Sequence, residues 1–209
     1  MLTAHLLSYA VAPMPNSGYI YHRLVVGYHG CDKTIAERVL MNHEPLEPSA
    51  NKYDWLGEGI YFWEHGYKRA LEFAQWKKHR GEIDEPTVIG AYIHLGRCFD
   101  LTDTAATTSL AKYYDPFCQV MEDSGLDIPQ NVKGHADDFD LVKRFLDCAV
   151  LNFALESLPE IQTVRGVFVE GNQVFPGSQI YSKTHVQISV RDSSCILGYF
   201  LPSMNYNEI

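Results

Sequence analysis

Residues 57–62, GEGIYF, place two glycines directly before a short apolar segment. Isoleucine and aromatic side chains favour β-strands, so residues 60–62 are predicted to form one. Glycine has no Cβ atom and lets the backbone come close to another group, which is the role predicted for Gly57 and Gly59. The pattern therefore predicts a strand whose start lets the backbone approach another group closely.

Upstream of this segment, residues 23–28 (RLVVGY) predict a buried strand that runs into His29. Asp32 is placed to cap a short helix over residues 33–40. The polar, proline-bearing stretch 42–54 then predicts a loop that leads into the glycines. His29 is therefore expected at the end of a strand, where its side chain can reach a neighbouring segment.

Downstream, apolar residues recur at helical spacing over residues 67–80, and a basic cluster before Gly81 marks the end of that helix. Residues 87–95 (TVIGAYIHL) predict a strand, and residues 96–101 predict a turn into a second short strand. The chain thus alternates between strand and helix in its first half, although without the regularity of a parallel sheet.

Residues 102–160 are predicted to be a helical insertion, because apolar residues form a wide helical stripe over 141–153, capped by Asp137 or Asp138. The segments after the insertion that predict strands are 164–170, 184–191 and 195–200. A turn-rich loop separates the first two of these strands. Because regular β-α alternation is missing, the sequence predicts a mixed α+β fold.

The chain has 209 residues, 46% of them hydrophobic, and is predicted to form a single domain over residues 1–209. Its net charge of −9 disfavours a broad nucleic-acid-binding surface. The five cysteines have no zinc-binding spacing and are odd in number, so reduced thiols and a cytoplasmic location are expected. The N-terminal residues lack a basic region, and no segment reaches membrane-spanning length, so we expect neither a signal peptide nor a membrane partner.

Three strings, Tyr28-His29-Gly30, residues 57–62 and residues 184–190 (THVQISV), resemble the site of the poly(ADP-ribose) polymerase-like ADP-ribosyltransferases. The signature of that family is a His, a Tyr and a Glu on three separate strands. The likeness covers residues 23–101 and 164–200 in outline and leaves the insertion unmatched. It implies an ADP-ribosyltransferase-like fold, with mixed or antiparallel split sheets flanked by helices.

The resemblance assigns catalytic roles to His29, Tyr61 and Gln187, requires no metal, and implies NAD as the substrate. The residues that it places around NAD are Tyr28, Gly30, Gly59, Tyr67 and Phe73. Breaking the bond between nicotinamide and ribose generates an oxocarbenium-like sugar, so the site must hold the leaving ring and stabilise positive charge. In this scheme the backbone of Gly30 meets the carboxamide, an aromatic ring stacks on the pyridinium, and His29 binds a ribose hydroxyl.

Gln187 stands where the family has its Glu, and this departure decides how active the site is. A carboxylate about 4 Å from the developing charge contributes on the order of 4 kcal/mol at an effective dielectric of 20. An amide supplies no such charge, but it can still orient a hydroxyl. Glu170 is a candidate substitute carboxylate, and a shift of the strand by two residues would put His185 in the same position on the same face.

We therefore expect an NAD-dependent mono-ADP-ribosyltransferase that modifies a macromolecular acceptor, whether protein, RNA or DNA. Toxins and phage-defence effectors are suggested by analogy alone. Three alternatives stay open: an NAD glycohydrolase, an enzyme similar to RNA 2′-phosphotransferases, and a non-catalytic module that binds NAD or ADP-ribose. The second would need basic residues for the RNA phosphate, and Lys183 and Arg191 are the nearby candidates.

Overall fold

The computed structural model describes residues 20–134 and 141–203, and the structural statements below concern these residues. The strands are β1 (Ile20–Asp32), β2 (Ile60–Glu64), β3 (Pro86–Asp100), β4 (Thr163–Phe168), β5 (His185–Val190) and β6 (Ile196–Phe200). The helices are α1 (Lys33–Asn42), α2 (Tyr67–His79), α3 (Thr104–Ala111), α4 (Tyr114–Asp123) and α5 (Phe145–Glu156). Within the described ranges, no helix has both the length and the apolar character needed to cross a membrane.

The strands form one mixed sheet in the order β1-β2-β5-β4-β3-β6, in which β1 also pairs with β3. Two antiparallel groups make up this sheet: β3 lies between β1 and β6, and β5 lies between β2 and β4. The groups meet at two short junctions, where β1 pairs with β2 through Gly27 and Tyr28, and β3 runs parallel to β4 over residues 98–100. Helices flank the sheet, so the predicted mixed α+β fold is confirmed.

Side chains alternate between the two faces of each strand, which divides the core into an inner layer and two outer ones. The inner layer, between the two groups of strands, contains Val25, Phe62, Ile89, Ile93 and Ile188. On the outer face, α2 packs over Tyr28, Trp63 and Val88. A second outer cluster joins α3, α4 and α5 to Val164 and Phe168 of β4. The outer face of β2 is therefore contacted at Trp63 by the cluster that contains α2, and at Tyr61 by the cluster that contains α3, α4 and α5.

Asp32 ends β1 and caps α1, as the sequence predicts. Its Oδ1 accepts hydrogen bonds from the backbone N–H and the hydroxyl of Thr34, at 2.9 and 2.8 Å. Its Oδ2 accepts from the backbone N–H groups of Asp84 and Glu85, at 2.8 and 3.0 Å. The donors at Glu85 and Thr34 hold the pKa of this carboxyl well below its usual range. One side chain thus fixes the end of β1, the start of α1 and the approach to β3.

The prediction of a separate short strand after residue 95 is wrong, because β3 continues from Pro86 to Asp100 without a break. Gly96 adopts φ +58, a left-handed conformation that absorbs the bend without ending the strand. The strand changes partner at this point, from β1 to β4. The prediction failed because Gly96 is typical of a turn, whereas pairing with β1 and β4, which are distant in sequence, keeps this strand extended.

The helix predicted over the stripe 141–153 begins later than expected, at Phe145, with Leu141 exposed outside it. The predicted caps Asp137 and Asp138 lie outside the described residues. Asn131 serves the N-terminus instead, since its Oδ1 accepts from the backbone N–H groups of Leu146 and Asp147 at 2.9 and 3.2 Å. The predicted start of this helix was wrong because its cap comes from Asn131, which lies outside the apolar stripe.

A buried ion network lies where the two groups of strands meet. Arg165 on β4 donates from Nε to Glu64 at 2.6 Å and from Nη1 to Asp100 at 3.1 Å. The three side chains are only 10%, 5% and 4% exposed. Glu64 ends β2 and Asp100 ends β3, so the guanidinium joins three strands at one point.

Gly30→Ala is expected to destabilise the protein, because a Cβ atom at this position would overlap the carbonyl oxygen of Ala70 on α2. The helix must then move away from β1, and overpacking of this kind typically costs about 1–3 kcal/mol. Urea denaturation measures the change in the free energy of unfolding. Gly198→Ala on β6 is the matched control, since a Cβ atom there meets nothing within 4 Å. Equal effects for the two variants would contradict this packing.

Candidate active site

The three predicted catalytic residues lie on three neighbouring strands, with β2 between β1 and β5. His29 Nδ1 is 2.8 Å from the backbone carbonyl oxygen of Tyr61. Across the other edge of β2, Tyr61 pairs with Ser189 and Trp63 pairs with Gln187. The partner of Gln187 on β2 is thus two residues from Tyr61, which is roughly 7 Å along the strand. Segments that are far apart in the sequence come together on these three strands.

The His29 ring is partly buried beside Phe62 of the inner layer, with ring centroids 5.8 Å apart. The side chains of Tyr61 and Gln187 alternate to the outer face, so only the backbone of Tyr61 contacts the His29 ring. A carbonyl oxygen only accepts hydrogen bonds, so Nδ1 carries the proton and donates to Tyr61. Burial lowers the pKa of His29, which keeps the ring neutral and leaves Nε2 as an acceptor. Among the described residues, nothing hydrogen-bonds to Nε2. The ring can therefore accept a hydrogen bond from a hydroxyl group.

The phenol of Tyr61 holds the glycine-rich turn in place. Its hydroxyl donates to the Gly57 carbonyl oxygen at 2.6 Å and accepts from the Leu56 N–H at 2.8 Å. Burial raises the pKa of this phenol. Gly57 adopts φ +71, and a Cβ atom at Gly59 would overlap the Ser189 hydroxyl. Both glycines are therefore required by the packing of this turn, while the ring of Tyr61 stays partly exposed.

Gln187 is oriented by its neighbour on the same strand, His185. His185 Nδ1 donates to the Lys183 carbonyl oxygen at 2.7 Å, so its Nε2 is an acceptor. Gln187 Nε2 lies 3.0 Å from that atom and donates to it. The amide oxygen of Gln187 then faces away from His185 and forms no hydrogen bond within the described part of the chain. The two residues that the sequence leaves as alternatives for one position act here as a coupled pair.

Aromatic rings surround this pair. Trp63 packs against Phe73, with centroids 5.1 Å apart, and its ring lies 6.4 Å from that of His185. Tyr67 meets Tyr28 edge-on at 5.7 Å. The predicted NAD-binding residues of α2, Tyr67 and Phe73, thus pack against Trp63 and Tyr28 in one hydrophobic cluster.

Sequence reasoning missed Trp63 and Arg69. Trp63 is 7% exposed, and its indole Nε1 is a buried donor without a partner among the described residues. The sequence could have indicated Trp63, because side chains two residues apart on a strand share a face, and Trp63 follows Tyr61 by two residues. Arg69 on α2 donates to Glu170 at 2.7 Å and to Glu72 at 2.8 Å. Glu170, the predicted substitute carboxylate, is thus held in an ion pair just beyond β4.

Gly30 packs against α2 on one side of the backbone, and its predicted contact with the ligand is on another side. Its Cα faces α2, whereas alternation along β1 sets the direction of its N–H and C=O groups. Val26 accepts from His65 N at 2.9 Å, so the even-numbered residues direct their backbone groups toward β2. Pairing with β2 ends at Tyr28 and Trp63. The backbone of Gly30 therefore faces the opening between β1 and β2, beside His29.

Comparisons with known proteins give little guidance on this site. No family model matches the chain, and no solved structure matches it. A stretch of 79 residues is 37% identical to an uncharacterized protein of Methanocaldococcus jannaschii. This match covers 36% of the present chain and 36% of the length of that protein. The chain therefore has a relative over about a third of its length, and that relative's printed name carries no activity.

Stability is expected to fall as the pH drops below about 6.5, the ordinary pKa of histidine. Burial lowers the pKa values of both His29 and His185, so the unfolded chain binds more protons than the folded one in this range. A pKa difference of one between the two states corresponds to about 1.4 kcal/mol. Urea denaturation at several pH values measures the slope, which His185→Gln should reduce. His79→Gln is the matched control, because His79 is exposed at the end of α2.

Proposed function

We propose that the protein is an NAD-dependent mono-ADP-ribosyltransferase, which breaks the bond between nicotinamide and ribose and transfers ADP-ribose to a macromolecular acceptor. The observation that carries this proposal is the position of His29, Tyr61 and Gln187 on three adjacent strands, with His29 hydrogen-bonded to the Tyr61 backbone at 2.8 Å. These are the positions that the family resemblance assigns to catalysis.

The groups that remain available at this convergence suit NAD as a substrate. His29 Nε2 accepts from a ribose hydroxyl, and the amide oxygen of Gln187 accepts from another. The backbone of Gly30 meets the carboxamide of nicotinamide in this scheme. The buried indole N–H of Trp63 supplies a donor for an acceptor atom of the ligand, which would relieve the cost of leaving it unpaired.

The same geometry predicts a slow enzyme. Departure of nicotinamide leaves positive charge on the sugar, and Gln187 places an oxygen dipole there without a full negative charge. Glu170 carries a charge, but its contact with Arg69 at 2.7 Å offsets it. Catalysis then depends mainly on holding the ribose and the leaving ring in a reactive arrangement.

His29→Ala and Tyr61→Ala are expected to lower nicotinamide release from NAD by on the order of a hundredfold, the usual cost of removing one positioning contact. The measurement is nicotinamide formed by purified protein at micromolar concentration, with cell lysate or nucleic acid as the acceptor source. His79→Ala is the matched control, because His79 is exposed at the end of α2. Absence of both NAD binding and nicotinamide release in the natural protein would refute the proposal.

One rival is favoured by a specific observation: residue 187 is an uncharged glutamine, and the charge of Glu170 is paired with Arg69. These features also suit a non-catalytic module that binds NAD. Tight NAD binding without turnover would establish this rival. Free ADP-ribose without labelled macromolecule would instead indicate a glycohydrolase.

A further inference from the structure

Two arginines stand apart from the others in this chain. Six of its eight arginines lie within 4 Å of a carboxylate oxygen. Arg97 and Arg191 form no ion pair with any residue in the described ranges. Both line one cavity of about 670 Å³. Glu58 and Glu156 interact with Arg191 electrostatically, but neither forms an ion pair with it within 4 Å in the described ranges. In a protein with a net charge of −9, two guanidinium groups at one place without such a pair require an explanation.

Gln162 holds the two arginines in a fixed relation. Its backbone oxygen accepts from the N–H groups of Arg191 and Asp192, at 2.8 and 3.1 Å. Its side-chain Oε1 accepts from the Arg97 N–H at 3.1 Å, and its own N–H donates to the Arg97 carbonyl oxygen at 2.8 Å. One residue thus ties the bend of β3 to the end of β5. A site fixed in this way loses little backbone entropy when a ligand binds.

The hydrogen-bond donors that stay free in the cavity favour an anion, although its lining carries two carboxylates beside the two guanidinium groups. Burial lowers the pKa of Arg191, and the charges of Glu58 and Glu156 oppose this shift. The residue as a whole is exposed, so its guanidinium keeps contact with solvent. Asp192 also lines the cavity, but its two oxygens accept from Gln162 Nε2 and the Ser194 N–H, both at 2.9 Å. Glu160 also lines the cavity and is exposed, so solvent screens its charge as it screens that of the exposed Arg191. The unused hydrogen-bonding capacity is therefore mainly that of the two guanidinium groups.

We propose that this cavity binds a small organic phosphate, with Arg97 and Arg191 contacting its dianionic phosphoryl group. Guanidinium groups match the geometry of phosphate oxygens and form short, charge-assisted hydrogen bonds with them. The cavity volume of about 670 Å³ exceeds that of a bare ion and falls in the range of small-molecule sites. A long nucleic acid is disfavoured by the acidic character of the chain.

This site is separate from the candidate active site. Arg191 follows β5, four residues beyond Gln187, or about 13 Å along an extended strand. The cavity lies at the ends of β3 and β5, so neither His29 nor Tyr61 lines it. The inference therefore does not depend on the proposed transferase activity.

Calorimetric titration at constant ionic strength tests the proposal, with inorganic phosphate, a nucleoside monophosphate, a sugar phosphate and succinate as the four probes. We expect the natural protein to bind the phosphates and to bind succinate more weakly. Arg97→Gln and Arg191→Gln should each weaken phosphate binding about tenfold or more, the effect of losing one charge-assisted contact. Arg38→Gln is the matched control, because Arg38 lies on the surface in a pair with Glu44.

Circular dichroism and the melting temperature show whether each variant is folded. Arg97→Lys and Arg191→Lys provide a second series, which keeps the charge and should weaken binding less than the glutamine variants. No phosphate binding by the natural protein at millimolar concentration would overturn the proposal, as would equal binding by natural protein and both glutamine variants. Binding of an oligonucleotide without binding of any small phosphate would also overturn it.

Discussion

Gln187→Glu is expected to raise the rate of nicotinamide release by up to about a thousandfold. A carboxylate about 4 Å from the developing positive charge is worth on the order of 4 kcal/mol at an effective dielectric of 20, which corresponds to that factor. The strand register already puts residue 187 opposite Trp63, two positions from the partner of Tyr61. The substitution keeps the length of the side chain, but it replaces the amide that donates to His185 with a carboxylate.

The neighbouring imidazole determines how the gain depends on pH. In the natural protein, burial lowers the pKa of His185, and its neutral Nε2 accepts from Gln187 at 3.0 Å. A carboxylate at residue 187 stabilises the protonated ring and raises the pKa of His185. The resulting imidazolium offsets the new charge until the pH exceeds that raised pKa. The rate gain should consequently be small in acid and increase with pH.

Two further variants distinguish the effect of the charge at residue 187 from the effect of its side-chain volume. Gln187→Glu combined with His185→Gln removes the offsetting imidazolium, so its gain should be large across the neutral range. Gln187→Met keeps the volume but lacks the amide oxygen, and it should release nicotinamide more slowly than the natural protein. If Gln187→Glu binds NAD and folds normally but gains no activity at any pH, residue 187 does not lie beside the reacting sugar.

The local parts of this fold follow from the sequence. The cap at Asp32, the helix over residues 67–80 and the strand at residues 60–62 each depend on short-range patterns, and the structure contains all three. The continuity of β3 through Gly96 and the cap of α5 by Asn131 do not follow, because both arise from contacts with segments distant in sequence. Pairing partners, rather than local propensity, decide such features.

Some features of the candidate site also follow from the sequence, and others do not. Motif order singles out His29, Tyr61 and Gln187, and the structure places them on adjacent strands. The donation from Gln187 to His185 and the contact of Glu170 with Arg69 were not predictable, since each requires the side-chain geometry of the folded chain. Whether these residues carry out NAD chemistry stays a prediction.

Arg165→Met is expected to lower the free energy of unfolding by about 3–5 kcal/mol, the usual effect of leaving buried charges without their partner. Glu64 and Asp100 lie 2.6 and 3.1 Å from the guanidinium and are nearly inaccessible to solvent. Without Arg165, Glu64 keeps only the more distant Arg23 at 3.5 Å among the ion pairs of the described residues. Urea denaturation with circular dichroism measures the loss.

The matched control for this variant is Arg38→Met, because the pair of Arg38 with Glu44 is 57% and 44% exposed. Exposed pairs contribute about 0–1 kcal/mol, so the control should change little. Adding Glu64→Gln and Asp100→Asn to Arg165→Met removes the uncompensated charges and should recover part of the stability. The deficit of Arg165→Met should also shrink as the pH falls, since protonation neutralises the orphaned carboxylates. Equal losses for Arg165→Met and Arg38→Met would show that the network does not hold the two groups of strands together.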